Sequence, residues 1–181
     1  MKILVVGSGA REHALVRALL LDPEVGGVVA APGNPGIAAV AQCVPGVSDP
    51  SDASAVVAAA REHEVDLVVI GPEGPLVAGV ADAVRQAGFA CFGPSAPAAQ
   101  LEGSKAFAKE IMAAADVPTA RAQVCTTDDE IRDALDATGA PYVVKDAGLA
   151  AGKGVVVTAD LDAALEHGRA CLAKPLGRVV V

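Results

Sequence analysis

Short apolar runs rich in β-branched residues alternate with Ala-rich stretches of helical periodicity through the first half of the chain. Strands are predicted over residues 2–6, 28–31, 67–70 and 90–92, and helices over residues 12–21, 52–62, 76–87 and 96–115, the last broken near Gly103. This alternation is typical of a parallel sheet covered by helices on both faces. The sequence therefore predicts an N-terminal, Rossmann-like α/β domain over residues 1–95.

The second half of the chain has a different pattern, which begins after the hinge-like segment DVPT at residues 116–119. Strands are predicted over residues 121–124, 142–145 and 155–158, and helices over residues 128–138 and 160–173. A short glycine-rich turn between two strands favours antiparallel pairing. We therefore predict a helical connection over residues 96–120 and a small α+β domain over residues 121–181.

The chain ends in an apolar, β-like run, Arg178–Val181, although termini are usually polar and loosely held. We interpret the sequence as a truncated part of a larger fold. A short edge strand that ends the chain is the alternative.

Composition restricts the class of protein. Hydrophobic residues make up 52% of the chain, but no apolar stretch approaches the roughly 18–20 residues of a membrane-spanning helix. The N-terminus lacks the pattern of a signal peptide, and the four cysteines form no CxxC pair, so neither a disulfide framework nor a zinc site is indicated. A net charge of −8 argues against nucleic-acid binding. We predict a cytoplasmic protein with small-molecule partners, and neither nucleic acid nor membrane among them.

Each predicted strand of the first half ends in a glycine or proline loop, and such loops share the carboxyl edge of a parallel sheet, where ligands bind. The first loop, Gly7-Ser8-Gly9, precedes a helix and could hold a phosphate through its backbone N–H groups, or could serve the turn alone. A dinucleotide site needs a third glycine where Glu12 stands and an acidic residue after the second strand. The sequence therefore disfavours NAD.

Polar side chains in these loops are candidates for substrate binding, together with the two glycines. They are Arg11, Glu12, His13, Asn34 and Glu73. Arg11 and the amides of the first helical turn could meet a phosphate together. A surface His13, a turn-forming Asn34 and a solvated Glu73 are the structural alternatives.

A second glycine-rich segment, KDAGLAAGKG at residues 145–154, joins two predicted strands. It is not a Walker A loop, because only three residues separate Gly148 from Gly152, a glycine follows Lys153, and a strand follows the segment. Its pattern favours a flexible flap over nucleotide phosphates, as in the glycine-rich loop of kinases.

Two further lysines are candidates for contact with the nucleotide. Lys145 ends an apolar strand, and Lys105 follows Ser104 at a predicted helix start. Either ammonium group could instead reach solvent. Their joint occurrence with the flap favours a nucleotide site.

Taken together, these motifs resemble those of the phosphoribosylamine-glycine ligase family, the glycinamide ribonucleotide synthetases of purine biosynthesis, which are ATP-grasp enzymes. The resemblance covers essentially the whole chain and rests on GSGAREHAL (7–15), APGNPG (31–36), GPEGPLVAGV (71–80), FGPSAPAAQLEGSKAFAK (92–109) and GLAAGKGV (148–155). It implies a pre-ATP-grasp domain followed by the small lid subdomain of an incomplete ATP-grasp unit.

The resemblance also implies roles for individual residues. ATP would be bound by Lys105, Lys145, Gly148, Gly152, Lys153 and Gly154. The phosphoribosylamine side would be lined by Gly7, Gly9, Arg11, Glu12, His13, Asn34 and Glu73. No catalytic residue is assigned, and the ligands of Mg²⁺ or Mn²⁺ are expected beyond Val181.

The family reaction joins glycine to 5-phosphoribosylamine through a glycyl phosphate and releases ADP and phosphate. Because adenine and metal contacts are expected beyond Val181, the chain alone is expected to be inactive. One departure concerns the flap: the family usually has an acid immediately before Gly148, whereas this chain has Ala147 there and Asp146 one place earlier. Another ATP-grasp ligase or carboxylase, or a non-enzymatic nucleotide-binding module, remains as an alternative.

Overall fold

The computed structural model describes residues 1–149, 154–175 and 177–181. The chain divides into two compact units, unit 1 from Met1 to Ala99 and unit 2 from Gln100 to Val181. Within the described residues, no helix combines the length and the apolar character that a bilayer crossing requires.

Unit 1 is built on five parallel strands. Its elements are β1 (Lys2–Gly7), α1 (Ala10–Leu19), β2 (Gly27–Pro32), α2 (Pro35–Ala38), β3 (Gln42–Cys43), α3 (Ala53–Glu62), β4 (Leu67–Ile70), α4 (Glu73–Val77), α5 (Val80–Gln86) and β5 (Ala90–Phe92), with α6 (Ala96–Gly103) running across the division between the units. The strand order is β3-β2-β1-β4-β5, with β1 at the centre. In this register Val5 lies between Ala30 of β2 and Val69 of β4.

Burial of β1 on both faces explains why unit 1 needs helices on each side of the sheet. Leu4 and Val6 point into one apolar cluster, which α3 and α5 cover. Ile3 and Val5 point into the other cluster, beneath α1 and α2. A strand without a polar face belongs to a parallel sheet covered on both sides, so the predicted α/β class is confirmed.

In unit 1 one predicted helix needs correction and two short elements were not predicted. The helix predicted over residues 76–87 is two helices, α4 and α5, because Gly79 adopts a left-handed conformation (φ 86°) between them. The hydrophobic pattern of the sequence predicts neither α2 nor β3. Both are very short, with four residues in α2 and two in β3, so they carry almost no periodic signal.

Unit 2 contains an antiparallel sheet and two covering helices. Its elements are α7 (Lys105–Ala114), β6 (Val124–Cys125), α8 (Asp128–Thr138), β7 (Tyr142–Asp146), β8 (Val155–Thr158), α9 (Leu161–Leu172) and β9 (Val179–Val180). In the described part of the chain the strand order is β6-β9-β7-β8. Because β9 pairs with β6 on one side and β7 on the other, the edge-strand alternative is wrong. The strand predicted over residues 121–124 is shorter and shifted, at β6.

One face of this second sheet packs against α8 and α9. Val144 is fully buried there, together with Ile131 and Leu135 of α8 and Leu165 of α9. The two helices come close enough that a Cβ atom added at Gly168 would lie 3.0 Å from Ile131 Cδ1. The small residue at 168 therefore lets Ile131 fill the space between the helices.

Replacing Ile131 with alanine should lower the free energy of unfolding of the chain by about 2–5 kcal/mol, because it leaves a cavity between α8 and α9. The control is Val157→Ala, since Val157 is 66% exposed and its loss should change stability by less than about 0.5 kcal/mol. Urea denaturation followed by circular dichroism measures both values. Equal effects of the two substitutions would contradict the packing described.

Candidate functional site

The turns that leave the carboxyl ends of β1 and β4 form an open groove, here called the unit 1 groove, of about 500 Å³. Its lining residues are Gly7, Ser8, Gly9, Ala10, Arg11, Glu12, Pro50, Ser51, Pro72, Glu73, Gly74 and Pro75. Parallel strands bring these turns to one edge of the sheet, as the sequence analysis expected. Five of the seven predicted substrate residues therefore lie together.

An ion pair links the two sides of the unit 1 groove. Arg11 Nη2 donates to Glu73 Oε2 at 2.9 Å, with the Arg11 side chain 67% exposed. The pKa of Glu73 is lowered from its ordinary value, first by the backbone N–H of Glu73 itself at the start of α4 and then by Arg11. Glu73 is therefore a paired carboxylate rather than a simple solvated acid.

Glu12 is also a groove residue, but its carboxylate is buried, with only 3% of the residue exposed. Oε2 accepts a hydrogen bond from the Gly9 N–H at 2.6 Å, which caps the first turn of α1. Oε1 is buried without a hydrogen-bond partner in the described structure. A carboxylate in this position is unusual and requires a physical explanation.

Asn34 and His13 connect the loop after β2 to the same region. Asn34 caps α2 by accepting from the Ile37 N–H at 2.9 Å, and its Nδ2 donates to the Ser8 carbonyl oxygen at 2.9 Å. The His13 ring packs on Gly36, where an added Cβ atom would lie 2.7 Å from His13 Cε1. Both side chains thus have structural partners, and Asn34 fixes the turn that carries Ser8.

Pro50 and Ser51 also line the unit 1 groove, although neither is among the predicted site residues. They precede α3, whose N-cap is Asp52, and they follow β3 in the chain. Recognition of β3 would have shown that residues 50 and 51 also leave the carboxyl edge of the sheet. The only available signal was the Asp-Pro-Ser-Asp turn composition.

In unit 2 the β7–β8 hairpin carries the predicted flap. Lys105, the first residue of α7, donates its backbone N–H to the Ala147 carbonyl at 2.8 Å and its ammonium to the Gly148 carbonyl at 2.7 Å. On the β8 side, the Asp146 N–H donates to the Gly154 carbonyl at 2.7 Å. Lys105 and Gly148 are therefore joined at the base of the hairpin, where Gly154 pairs with Asp146 at the end of β7. Gly152 and Lys153 lie outside the described residues.

Asp146 anchors the first turn after β7. Its carboxylate accepts from the Gly148 N–H at 2.9 Å and pairs with Lys174 Nζ at 2.5 Å. Burial by itself raises the pKa of Asp146, but the hydrogen bonds from Lys174 and Gly148 and the charges of Lys174 and Lys105 outweigh it and leave the pKa lowered. The acid that stands one place earlier than in the family is thus an anchor of this turn.

Lys145 lies on the opposite face of β7 from Asp146, because successive side chains of a strand alternate. It borders a cavity of about 240 Å³ within unit 2. The lining residues are Lys109, Ala120, Arg121, Ala122, Thr138, Pro141, Val143, Lys145, Val180 and Val181. Val143 and Val180 give this cavity an apolar floor, and Lys145 gives it a positive side.

The described residues do not form a metal site. Across residues 1–149, 154–175 and 177–181, no three His, Cys, Asp or Glu side chains gather in a way that could hold an ion. Glu73 and Asp146 are each committed to a basic partner.

Comparison with known proteins identifies the family. Residues 1–102 match the N domain of phosphoribosylglycinamide synthetase, and residues 103–180 match its ATP-grasp (A) domain. The chain belongs to the phosphoribosylglycinamide synthetase family. The resemblance inferred from the motifs is thereby confirmed.

Relatives of the phosphoribosylglycinamide synthetase family extend well beyond this chain. A phosphoribosylamine-glycine ligase from Streptomyces coelicolor is 63% identical over 171 residues, which cover 94% of the chain and 41% of the relative. A solved phosphoribosylamine-glycine ligase from Thermotoga maritima has a TM-score of 0.75 and 28% identity, over 99% of this chain and 43% of that one. The chain thus spans about two fifths of the length of these relatives.

A second solved structure shares the fold at lower identity. An ADP complex of N5-carboxyaminoimidazole ribonucleotide synthetase has a TM-score of 0.76 and 17% identity, over 99% of this chain and 45% of that one. At this level of identity the similarity concerns the fold alone.

Asp146→Asn should lower the free energy of unfolding by about 1–2 kcal/mol at neutral pH, because it removes charge-assisted hydrogen bonds to a mostly buried carboxylate. Since folding lowers the pKa of Asp146 below its ordinary 3.8, the stabilisation is complete above pH 3.8 and is lost as the pH falls through the lower, folded-state pKa. Urea denaturation of both proteins across this pH range measures the difference.

The matched control is Asp136→Asn, an exposed position on α8, which should be nearly neutral. A gap between the wild type and Asp146→Asn that persisted unchanged in strong acid would contradict the anchoring role of the carboxylate.

Proposed function

We propose that the full-length protein containing this chain joins glycine to 5-phosphoribosylamine with ATP, giving glycinamide ribonucleotide, ADP and phosphate in purine biosynthesis. The observation that carries this proposal is the 63% identity over 171 residues to a relative named phosphoribosylamine-glycine ligase. The geometry agrees with it, since one unit offers a groove with an arginine and the other a lysine-bearing hairpin.

The chemistry requires activation of a poor electrophile. The glycine carboxylate attacks the γ-phosphorus of ATP, which releases ADP and forms glycyl phosphate. The amine nitrogen of phosphoribosylamine then attacks the acyl carbon, the C–O bond to phosphate breaks, and the amine loses a proton. A flap that excludes water protects the acyl phosphate from hydrolysis between these steps.

For ATP, the site we propose lies in unit 2. Lys145 and the apolar floor of the 240 Å³ cavity suit an adenine ring and the adjacent phosphate. Lys105, held at the base of the hairpin, suits the phosphate chain. The flap residues assigned from the resemblance are Gly148, Gly152, Lys153 and Gly154.

We propose that phosphoribosylamine occupies the unit 1 groove. The positive end of α1 and the Arg11 guanidinium would meet its phosphate, because both favour an anion. Asn34 and His13 lie behind the first turn, where they support the loops rather than line the groove. Gly7, Gly9 and Glu73 complete the predicted set.

A divalent ion, Mg²⁺ or Mn²⁺, would neutralise the ATP phosphates when bound. Its ligands are expected outside the described residues. We also propose a cytoplasmic location, supported by four cysteines that remain free thiols, as a reducing compartment favours.

Full-length protein should release ADP over many turnovers only when glycine and phosphoribosylamine are both present, and bicarbonate should not replace glycine. The 181-residue chain alone should release none under the same conditions, because it covers only 41% of its relative. A coupled ADP assay measures both. Bicarbonate-dependent turnover would instead favour an ATP-grasp carboxylase, and ATP binding without any turnover would favour a nucleotide-binding module.

Lys145→Ala in the full-length protein should raise the KM for ATP by about tenfold or more, because one charge-assisted contact to phosphate is worth roughly 1.5–3 kcal/mol. The circular dichroism spectrum should not change, since Lys145 borders a cavity rather than the core. Lys2→Ala, at the start of β1, is the control. An unchanged KM for ATP in Lys145→Ala would show that Lys145 does not bind ATP.

A further inference from the structure

The buried carboxylate of Glu12 occupies a space that three glycines leave open. A Cβ atom added at Gly7 would lie 2.6 Å from Glu12 Cγ, and one added at Gly9 would lie 2.8 Å from Oε2. One added at Gly71 would lie 2.6 Å from both Cγ and Cδ and would overlap Oε1. Real Cβ atoms do not approach other atoms this closely, so any side chain at these positions would displace Glu12.

Backbone conformation does not explain two of these glycines. Gly9 has a φ of −85°, and Gly71 does not belong to the glycines of positive φ in the described chain. Other residues adopt such conformations without strain. Only Gly7, at φ 128°, requires glycine for its own backbone. The space taken by Glu12 therefore accounts for glycine at 71, and at 9 a side chain would displace the Oε2 atom that the Gly9 N–H binds.

We propose that Glu12 is a positioning residue that holds the turn after β1 against the turn after β4 and so sets the width of the unit 1 groove. Its side chain contacts Gly7 and Gly9 in one turn and Gly71 in the other. Arg11 directly precedes Glu12, and Glu73 lies two residues after Gly71. The packing of Glu12 between the two turns thus places the Arg11–Glu73 ion pair across the groove. The packing role of Glu12 does not depend on the proposed function, whereas its effect on substrate binding does.

The same geometry refines how a phosphate is recognised. The Gly9 N–H already donates to Glu12 Oε2 at 2.6 Å. It is therefore not available to donate a hydrogen bond to a substrate phosphate. The phosphate contacts fall instead to Arg11 and to the other amides of the first turn of α1. Glu12 itself is enclosed by the glycines and does not contact the substrate.

A double-mutant cycle in the full-length protein tests the proposal, with ribose 5-phosphate as the probe of the unit 1 groove. Gly71→Ala alone should weaken ribose 5-phosphate binding about tenfold or more and lower the thermal unfolding midpoint, because the new methyl group overlaps Glu12. In a Glu12→Ala background the methyl group has room. Adding Gly71→Ala there should change neither measurement further.

Two glycine variants control for the substitution itself. Gly46→Ala should be neutral, because nothing lies within 4 Å of its added Cβ atom. Gly7→Ala should be harmful in both backgrounds, since its φ of 128° disfavours alanine whatever Glu12 does. If Gly71→Ala alone does not fold, recovery of folded protein in the Glu12→Ala/Gly71→Ala double variant would equally support the proposal.

A conservative variant separates positioning from direct contact. Glu12→Gln keeps the shape and an acceptor for the Gly9 N–H, so it should bind ribose 5-phosphate within about threefold of the wild type. Glu12→Ala should bind it about tenfold more weakly, while the KM for ATP is unchanged in both variants. Equal loss in Glu12→Gln and Glu12→Ala would indicate a charged ligand contact and overturn the proposal.

The proposal would also be overturned if Gly71→Ala lowered ribose 5-phosphate binding and the unfolding midpoint equally in both backgrounds. The added methyl group would then clash with something other than Glu12. Failure of the proposed function is distinguishable: wild-type protein would not bind ribose 5-phosphate, whereas the rescue of the unfolding midpoint by Glu12→Ala would still support the packing role.

Discussion

A carboxylate removed from water is costly unless it is hydrogen-bonded or paired with a positive charge, and in unit 1 this constraint falls on Glu12. One of its oxygens takes the Gly9 amide, and the rest of the group fills a space bounded by Gly7 and Gly71. The turns after β1 and β4 can therefore approach each other only at the distance that this side chain allows. The width of the unit 1 groove, and the position of Arg11 at its edge, follow from that constraint.

In the β7–β8 hairpin of unit 2, the alternation of side chains along β7 decides which groups face the cavity and which anchor the turn. Side chains alternate along β7, so Lys145 faces the 240 Å³ cavity while Asp146 turns toward Lys174. Ala147 returns to the first face and packs with Ala106 and Val180. An acid at 147 would stand on that apolar face, whereas an acid at 146 reaches both a lysine and the Gly148 amide. A shift of one residue thus changes which groups anchor the flap.

Much of this organisation could be predicted from the sequence, because long buried runs and well-capped helices carry their own signal. The bounds of β4, β5, β8 and α8 agree with the prediction. The two-residue β3 is too short to carry a periodic signal, so the positions of Pro50 and Ser51 in the groove could not be predicted. The role of the glycines was harder to predict. From the sequence, Gly9 and Gly71 could be explained by a turn or a ligand, and only the structure shows that a carboxylate fills the space beside them.

Both candidate sites have a glycine turn whose amide is already taken by a carboxylate of the chain, Glu12 at Gly9 and Asp146 at Gly148. These negative charges disfavour an incoming phosphate, so nearby cations must offset them. In unit 2, Lys174 pairs with Asp146 directly. In unit 1, Arg11 is paired with Glu73 instead, but an ion pair this exposed is worth only about 0–1 kcal/mol. A phosphate that accepts two hydrogen bonds from the guanidinium can therefore compete with Glu73, and the pair is compatible with a role for Arg11 in substrate binding.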